Sequence, residues 1–370
     1  MTLLREEQSY SYYENRTLAA MPTFTAERVL NGEYFTGLEN YLRDHAAGRE
    51  TVLKLKTLLD LSVLRRPVVN NVVITRETLL PFMDYEITDP AAIQTAADAV
   101  AERLAAHAAQ VEGYGGVFYY AAVPCQYVCQ AEKYPWYLNN RAEYTAASSA
   151  ALFARLESLG VSYIDMLDWY EAAGRPEGFT STVDNHYGIQ GGYWTYLALL
   201  ARINADTGWG LDVLTENELV ETRLPNPYLG SRGRALLDLR QSGEHLSILT
   251  LRDPISFTRQ DYGIPTAASV YALPQTRQEA VLYSLYMGGD IANTVISTGR
   301  SDLPSILIYG DSFTNAVECV TWYSFDNMYS LDFRYYTQMT LEDFIREYQP
   351  DVVVCIRDYE AMLSISGNGK

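Results

Sequence analysis

Ser305-Ile306-Leu307-Ile308-Tyr309-Gly310-Asp311-Ser312-Phe313-Thr314-Asn315 is an apolar run that stops at Gly310 and presents a serine. Apolar runs of about four to eight residues bounded by turn formers suit central strands of a parallel sheet, and open α/β sheets bind ligands beyond the carboxyl ends of their strands. Ser312 therefore stands where such sheets keep their chemistry. The string Gly-Asp-Ser-Phe arises by chance in only roughly one in a few hundred chains of this length, which makes it informative but not decisive.

A serine hydroxyl is a weak nucleophile at neutral pH and needs a histidine base, itself oriented by a third group. The chain has four histidines. His45 follows Arg43 and Asp44 in a charged segment, His107 lies in an alanine-rich helical run, and His245 opens a strand expected over 245–251. His186 differs, because Asp184 precedes it by two residues in Thr182-Val183-Asp184-Asn185-His186-Tyr187-Gly188. Positions two apart share a face in extended backbone but not in a helix. Asp184, His186 and Ser312 are thus the expected catalytic residues, with the Ser312 backbone N–H and Asn315 as oxyanion donors and Gly289 as a weaker one. Asp311 reads as a turn residue.

Outward from this stretch, helices and strands alternate. Asp89-Pro90 is a helix start, with Asp as N-cap and Pro at the first helical position, and the helix runs over 91–111. Residues 117–123 read as a buried strand, 146–159 as a helix, 161–166 as a strand and 192–204 as a helix. A helix over 276–287 leads to the serine strand; strands over 329–333 and 352–356 and a crossover helix over 341–348 follow. The alternation predicts an α/β fold with a parallel sheet in three layers. Residues 206–280, rich in Gly and Pro, read as an insertion within a catalytic domain spanning 50–370. Before it, 50–64 has helical periodicity, 68–80 reads as a short β segment, and 1–49 reads as an N-terminal arm, extended with one short helix.

Composition excludes other function classes. A formal charge of −18 and a pI near 4.6 oppose contact with a phosphate backbone, so nucleic acid is not an expected partner. The same charge favours a neutral glycan over a uronate polymer. No stretch approaches the roughly 20 apolar residues that span a bilayer, and the start Met1-Thr2-Leu3-Leu4-Arg5 lacks a signal-peptide core, so the chain as given reads as soluble. The four cysteines include the pair Cys125 and Cys129, read either as a local disulfide or as two free thiols; no zinc ligand set accompanies them. Trp136, in an aromatic loop with Tyr134, Pro135 and Tyr137, either stacks on a sugar ring or packs as an ordinary aromatic.

The motifs together resemble the DHHW family, relatives of the alginate O-acetylation proteins and, more distantly, of SGNH hydrolases. That family carries Thr-Asp-His-His-Trp-Thr followed by Gly-Ala-Tyr, and here Val183-Asp184-Asn185-His186-Tyr187-Gly188 precedes Gly192-Tyr193-Trp194. A Lys-Asp-Ser-Tyr-Ala-Asn element resembles Gly310-Asp311-Ser312-Phe313-Thr314-Asn315, and Asp-Leu-Arg-Tyr-Tyr resembles Asp332-Phe333-Arg334-Tyr335-Tyr336. Glu14-Asn15-Arg16 extends the likeness over most of the chain. Asn185 and Tyr187 depart from the pattern at positions outside the expected triad. The resemblance implies an SGNH hydrolase-like, flavodoxin-like sheet and O-acetyl transfer to an exported or cell-surface polysaccharide, without a cofactor or metal. It also implies an acetyl donor supplied by a membrane-bound O-acyltransferase, and export or membrane anchoring of the full-length protein. Tyr187, Trp194 and Arg334 are expected substrate contacts, each with an alternative role in packing or ion pairing. An esterase with the same triad and a non-catalytic glycan-binding protein are the other readings.

Overall fold

The run 306–310 is central to an eight-stranded sheet, and its neighbours account for its composition. The computed structural model describes residues 9–366 apart from Asn15, Glu86 and Gln241; the resemblance position Asn15 therefore lies outside the described residues. Two units emerge from the pattern of internal contacts. The first comprises described residues up to Phe82 with Thr182–Asp184 and Leu229–Ser242; the second holds the rest.

In the second unit the strands are β1 (Val117–Val123), β2 (Tyr163–Asp165), β3 (Thr258–Asp261), β4 (Ile264–Thr266), β5 (Asn293–Ser297), β6 (Ile306–Gly310), β7 (Asn327–Leu331) and β8 (Val352–Asp358). Their order across the sheet is β4-β3-β5-β7-β6-β8-β1-β2. The five from β7 to β2 are mutually parallel, and β5, β3 and β4 add an antiparallel edge. Ile306, Leu307, Ile308 and Tyr309 are wholly buried between β7 and β8, which is why that strand reads as a continuous apolar run instead of an alternating one.

Helices flank the sheet: α1 (Pro90–Glu112), α2 (Ala142–Ser158), α3 (Ile189–Thr207), α4 (Thr314–Thr321) and α5 (Leu341–Tyr348). Asp89 caps α1 by accepting the Ala91 and Ala92 N–H groups at 3.0 and 3.4 Å. Ile93, Ala97, Val100, Ala101, Leu104, Ala108 and Val111, spaced three and four apart, bury one face of α1 against α2, α5 and β1. α3 packs on α4. Gly192 of α3 makes their approach possible, since a Cβ there would lie 2.7 Å from the Ala316 backbone. This is the expected three-layer, mostly parallel α/β arrangement.

One reading of the second unit needs correction. The stretch 276–287 is not a helix; it contains only the single 3-10 turn Tyr283–Leu285. Its backbone is engaged from outside, by Val281 N–H on the Pro227 carbonyl, Ala272 N–H on that of Leu285 and Met287 N–H on that of Val270. Tertiary pairing overrides helical propensity there. The stretch 206–280 also supplies β3 and β4 to the main sheet and a separate antiparallel pair, Leu219–Arg223 with Ser247–Leu251.

The first unit is more helical than an extended arm, with helices Ala26–Leu30, Glu33–His45 and Arg49–Leu58, the last continuing as a π-helical turn over Leu59–Val63. A three-stranded antiparallel sheet, Val68–Val69, Val72–Ile74 and Leu79–Pro81, follows. Arg16 grips the buried Asp44 carboxylate through two bonds of 2.6 and 2.7 Å, and Glu14 pairs with Arg49 at 2.7 Å. Glu14 and Arg16 are therefore tied to the helices that follow. Those bonds, Arg16 foremost, hold the Asp44 carboxyl well below the usual range. No helix among the described residues is long and apolar enough to cross a membrane.

Candidate active site

Gly310 ends β6 for want of space: a Cβ there would sit 2.0 Å from the Ile356 carbonyl oxygen on β8. The chain then turns sharply. Asp311 is buried and organises the turn, its Oδ1 accepting the Phe313 N–H at 2.9 Å and its carbonyl the Thr314 N–H at 2.9 Å. Its other oxygen lies 3.0 Å from Nη1 of Arg357, also buried, on β8. Locked at both ends, the turn launches α4 and leaves Ser312 half-buried at its tip.

His186 reaches this tip from the segment before α3. The Asn185 carbonyl accepts the Gln126 N–H at 2.9 Å, and the His186 carbonyl accepts that of Ser181 at 3.1 Å. Tyr187 is fully buried and donates its hydroxyl to the Phe313 carbonyl, directly joining the histidine and serine segments. The outcome is a 2.7 Å contact between His186 Nε2 and Ser312 Oγ. Phe313 lies 4.9 Å from the imidazole centre, and Tyr283 stacks on the ring at 3.9 Å with an interplanar angle of 11°.

Asp184 belongs to the first unit, where its carboxylate is buried and accepts the Ser231 N–H at 2.5 Å. The neighbouring backbone is equally fixed. Thr182 accepts from Leu79 N–H and Thr78 Oγ1, both at 2.8 Å, and Val183 accepts from Arg232 N–H at 3.0 Å. Gly230 adopts φ +58°, and a Cβ on it would meet the Val183 carbonyl oxygen at 2.3 Å. Only glycine fits this approach.

Asn315, the second residue of α4, is buried and donates from its amide to Asp290 Oδ1 at 3.2 Å. Asp290 in turn pairs with Arg334 at 3.0 Å, and Arg334 grips Asp332 at 2.6 Å. Arg334 is thus engaged by two carboxylates and shapes the surroundings of Asn315. The Ser312 N–H donates to no acceptor among the described residues, whereas the Gly289 N–H is held by the Tyr286 carbonyl, which removes Gly289 from the oxyanion donors.

The remaining expected contacts divide by exposure. Trp136 is 94% exposed and touches the edge of Tyr137. Trp194 stacks on Phe179 at 5.7 Å and packs against Trp169, within an aromatic cluster. Tyr187, with no exposed surface, supports the turn. His45, His107 and His245 bond to the Ala19 carbonyl, Glu342 and the Asn226 carbonyl respectively. All four cysteines are buried free thiols, and burial pushes each thiol pKa up.

Sequence reasoning missed Tyr283, Ser231 and Glu318. Glu318 stands in the apolar run Ala316-Val317-Glu318-Cys319-Val320, the one signal that could have found it. Its carboxyl is wholly buried in α4 and accepts the Ser330 hydroxyl at 2.8 Å. Burial pushes its pKa up to about 7 against the opposing hydrogen bonds of Thr314 and Ser330. Asp358 is pushed up to about 7 by burial and by the charge of Asp311.

No family model matches the chain, and no curated protein does. Solved structures do. PatB1 of Bacillus cereus, determined with a sulfonyl adduct, superposes with a TM-score of 0.64 at 15% identity, over 80% of this chain and 97% of that one. A DHHW family protein from Eubacterium siraeum gives 0.59 at 18% identity, over 80% and 93%. The O-acetyltransferase domain of Pseudomonas putida AlgJ gives 0.51 at 14%, again over 80% and 93%. The fold is the one these proteins share. At such identities the likeness speaks for the fold alone, and the chemistry rests on the residues above.

Proposed function

We propose that the protein is a serine-dependent O-acetyltransferase acting on an exported or cell-surface polysaccharide. The observation that carries this is the 2.7 Å contact between His186 Nε2 and Ser312 Oγ at the carboxyl end of a central parallel strand. His186 takes the proton as Ser312 attacks the acetyl carbonyl, and the tetrahedral oxyanion is met by the Ser312 N–H and the Asn315 amide. The intermediate collapses to acetyl-Ser312, and the departing group leaves with the proton from His186. A sugar hydroxyl then gives its proton to His186, attacks the acetyl-serine and leaves as the ester, restoring the serine. Asp184, two residues before His186 in sequence, orients the imidazole and stabilises its cation.

Two neighbours support the reading. AlgJ contributes an O-acetyltransferase domain on this fold, and PatB1 was determined with a sulfonyl adduct. A polysaccharide acceptor places the reaction outside the cytoplasm, with the acetyl group delivered by a membrane-bound O-acyltransferase.

The test is incubation with p-nitrophenyl acetate, with and without neutral oligosaccharides, followed by mass spectrometry of protein and sugars. Acetyl on Ser312 and on the sugar is the expected result. Free acetate alone identifies an esterase, and an unmodified protein with untouched sugars identifies a glycan binder without turnover.

A further inference from the structure

Away from Ser312, the antiparallel pair Leu219–Arg223 and Ser247–Leu251, the chain at 254–257 and 268–271, and the end of α4 line an open pocket of about 270 Å³. Leu214, Leu219, Leu249, Ile255, Val270 and Trp322 are among the apolar side chains of its wall. Several of the polar groups in that wall are turned to the backbone. Tyr271 donates its hydroxyl to the Leu249 carbonyl at 2.7 Å, Ser269 to that of Tyr271 at 2.8 Å, and Trp322 Nε1 to that of Cys319 at 3.0 Å. The Cys319 thiol lies 3.3 Å from the carbonyls of Val270 and Asn315.

This satisfaction decides what the space takes. A sugar ring carries several hydroxyls, each of which needs a partner once removed from water, and these mainly apolar walls offer few. An apolar chain needs none and gains from every methylene withdrawn from water. A cavity of roughly 150 Å³ accommodates benzene, so by the same filling this one holds about ten carbons. We propose that the pocket binds an unbranched aliphatic chain, separately from the acetyl-transfer site. Such a ligand touches α4 at Cys319, one turn beyond the Asn315 carbonyl to which that thiol is bonded.

The experiment uses 1-alkanols from hexanol to dodecanol in calorimetric titration of the whole protein, with 8-bromooctan-1-ol as a heavy-atom quencher of Trp322 fluorescence. Affinity is expected to tighten about fourfold per added methylene and then level off near decanol. Saturable quenching should vanish in Trp322→Phe. Ile255→Phe and Leu251→Phe, both at the half-buried wall, should each weaken binding at least tenfold, and Ser312→Ala should bind as wild type does. Absence of saturable binding overturns the proposal. So does affinity that climbs without a plateau, which is the behaviour of surface partition, or undiminished affinity in both filled variants with melting intact. Loss of binding in Ser312→Ala would place the chain in the catalytic site and also refute it. Since the alkanol series needs no variant and no turnover, its outcome is independent of whether acetyl transfer is established.

Discussion

The ring of Tyr283 lies face to face with the imidazole of His186, centres 3.9 Å apart and planes inclined by 11°. An aromatic face is negative and attracts a cation stacked upon it by ~0.5–2 kcal/mol. The attraction grows as His186 becomes imidazolium, which happens when it takes the Ser312 proton. Tyr283→Leu is therefore expected to lower kcat about tenfold with KM little changed. Tyr283→Phe keeps the face and should restore activity. Equal losses in Phe and Leu would show that the hydroxyl matters instead of the stack.

Gly230 and Val183 make the second relationship with consequences. Gly230→Ala puts a methyl where only 2.3 Å separates it from the Val183 carbonyl oxygen, in a left-handed conformation that side chains disfavour. The backbone must move, and the Ser231 N–H that holds Asp184 moves with it. Stability is expected to fall by about 1–3 kcal/mol. Activity should fall with it and approach the level of Asp184→Ala, itself milder than His186→Ala because an orienting carboxylate contributes less than the base. Thermal melting alongside esterase assay checks this; full activity in a destabilised Gly230→Ala protein would separate the glycine from the site.

The buried carboxyls make stability depend on pH in an uncommon direction. Glu318 and Asp358, both near 7 when folded, titrate at their ordinary values of 4.5 and 3.8 when unfolded. Between those values and pH 7 the folded state binds more protons, so their contribution to stability decreases as pH rises. For Glu318 the full loss amounts to about 3 kcal/mol. Glu318→Gln keeps an acceptor for Ser330 and removes the titration, so its melting temperature relative to wild type should improve from pH 5 to about pH 7 and level off above it. Parallel curves for the two proteins would place the Glu318 titration elsewhere.

The site was legible where chemistry and local pattern coincide. Gly310 to Asn315 could be read because an apolar strand, a glycine without room for a side chain and a serine lie in one short stretch, and His186 because Asp184 precedes it by two residues. Tyr283 was hidden, since 276–287 has helical composition and only pairing with 227 and 270–272 unwinds it. Ser231 contributes a backbone N–H, which no residue type announces, from 47 positions along the chain. The edge strands β3 and β4 were obscured by their shortness and by Gly263 and Pro265, which break a strand pattern. Arg334 offered a guanidinium suited to substrate, and only folding shows Asp290 and Asp332 already holding it.

Trp136 stands apart, nearly all of its surface in solvent and only the edge of Tyr137 against it. Trp136→Ala should leave melting unchanged, since little is buried there. If a neutral acceptor stacks on it, oligosaccharide binding weakens in the variant and varies little with salt. Binding that disappears in salt would indicate a charged acceptor, and unchanged binding in Trp136→Ala would remove the residue from the acceptor path.

Asn315 and Asp290 allow the oxyanion assignment to be separated from packing. The Asn315 amide donates to Asp290 through one N–H, and its second is the one assigned to the oxyanion. Asn315→Ala removes that donor and is expected to reduce kcat by about 10²–10³, as loss of one oxyanion-hole donor does, with KM nearly constant because the oxyanion exists only in the transition state. Asp290→Asn retains an oxygen to accept from Asn315 but removes the charge facing Arg334, which keeps Asp332 as its partner. Its loss of kcat should be smaller, because the amide stays in place with weaker support. Rates of acetyl-Ser312 formation measured by intact-protein mass give the comparison directly. A larger defect in Asp290→Asn than in Asn315→Ala, with both proteins folded, would shift the oxyanion role away from Asn315 and toward the Ser312 N–H alone.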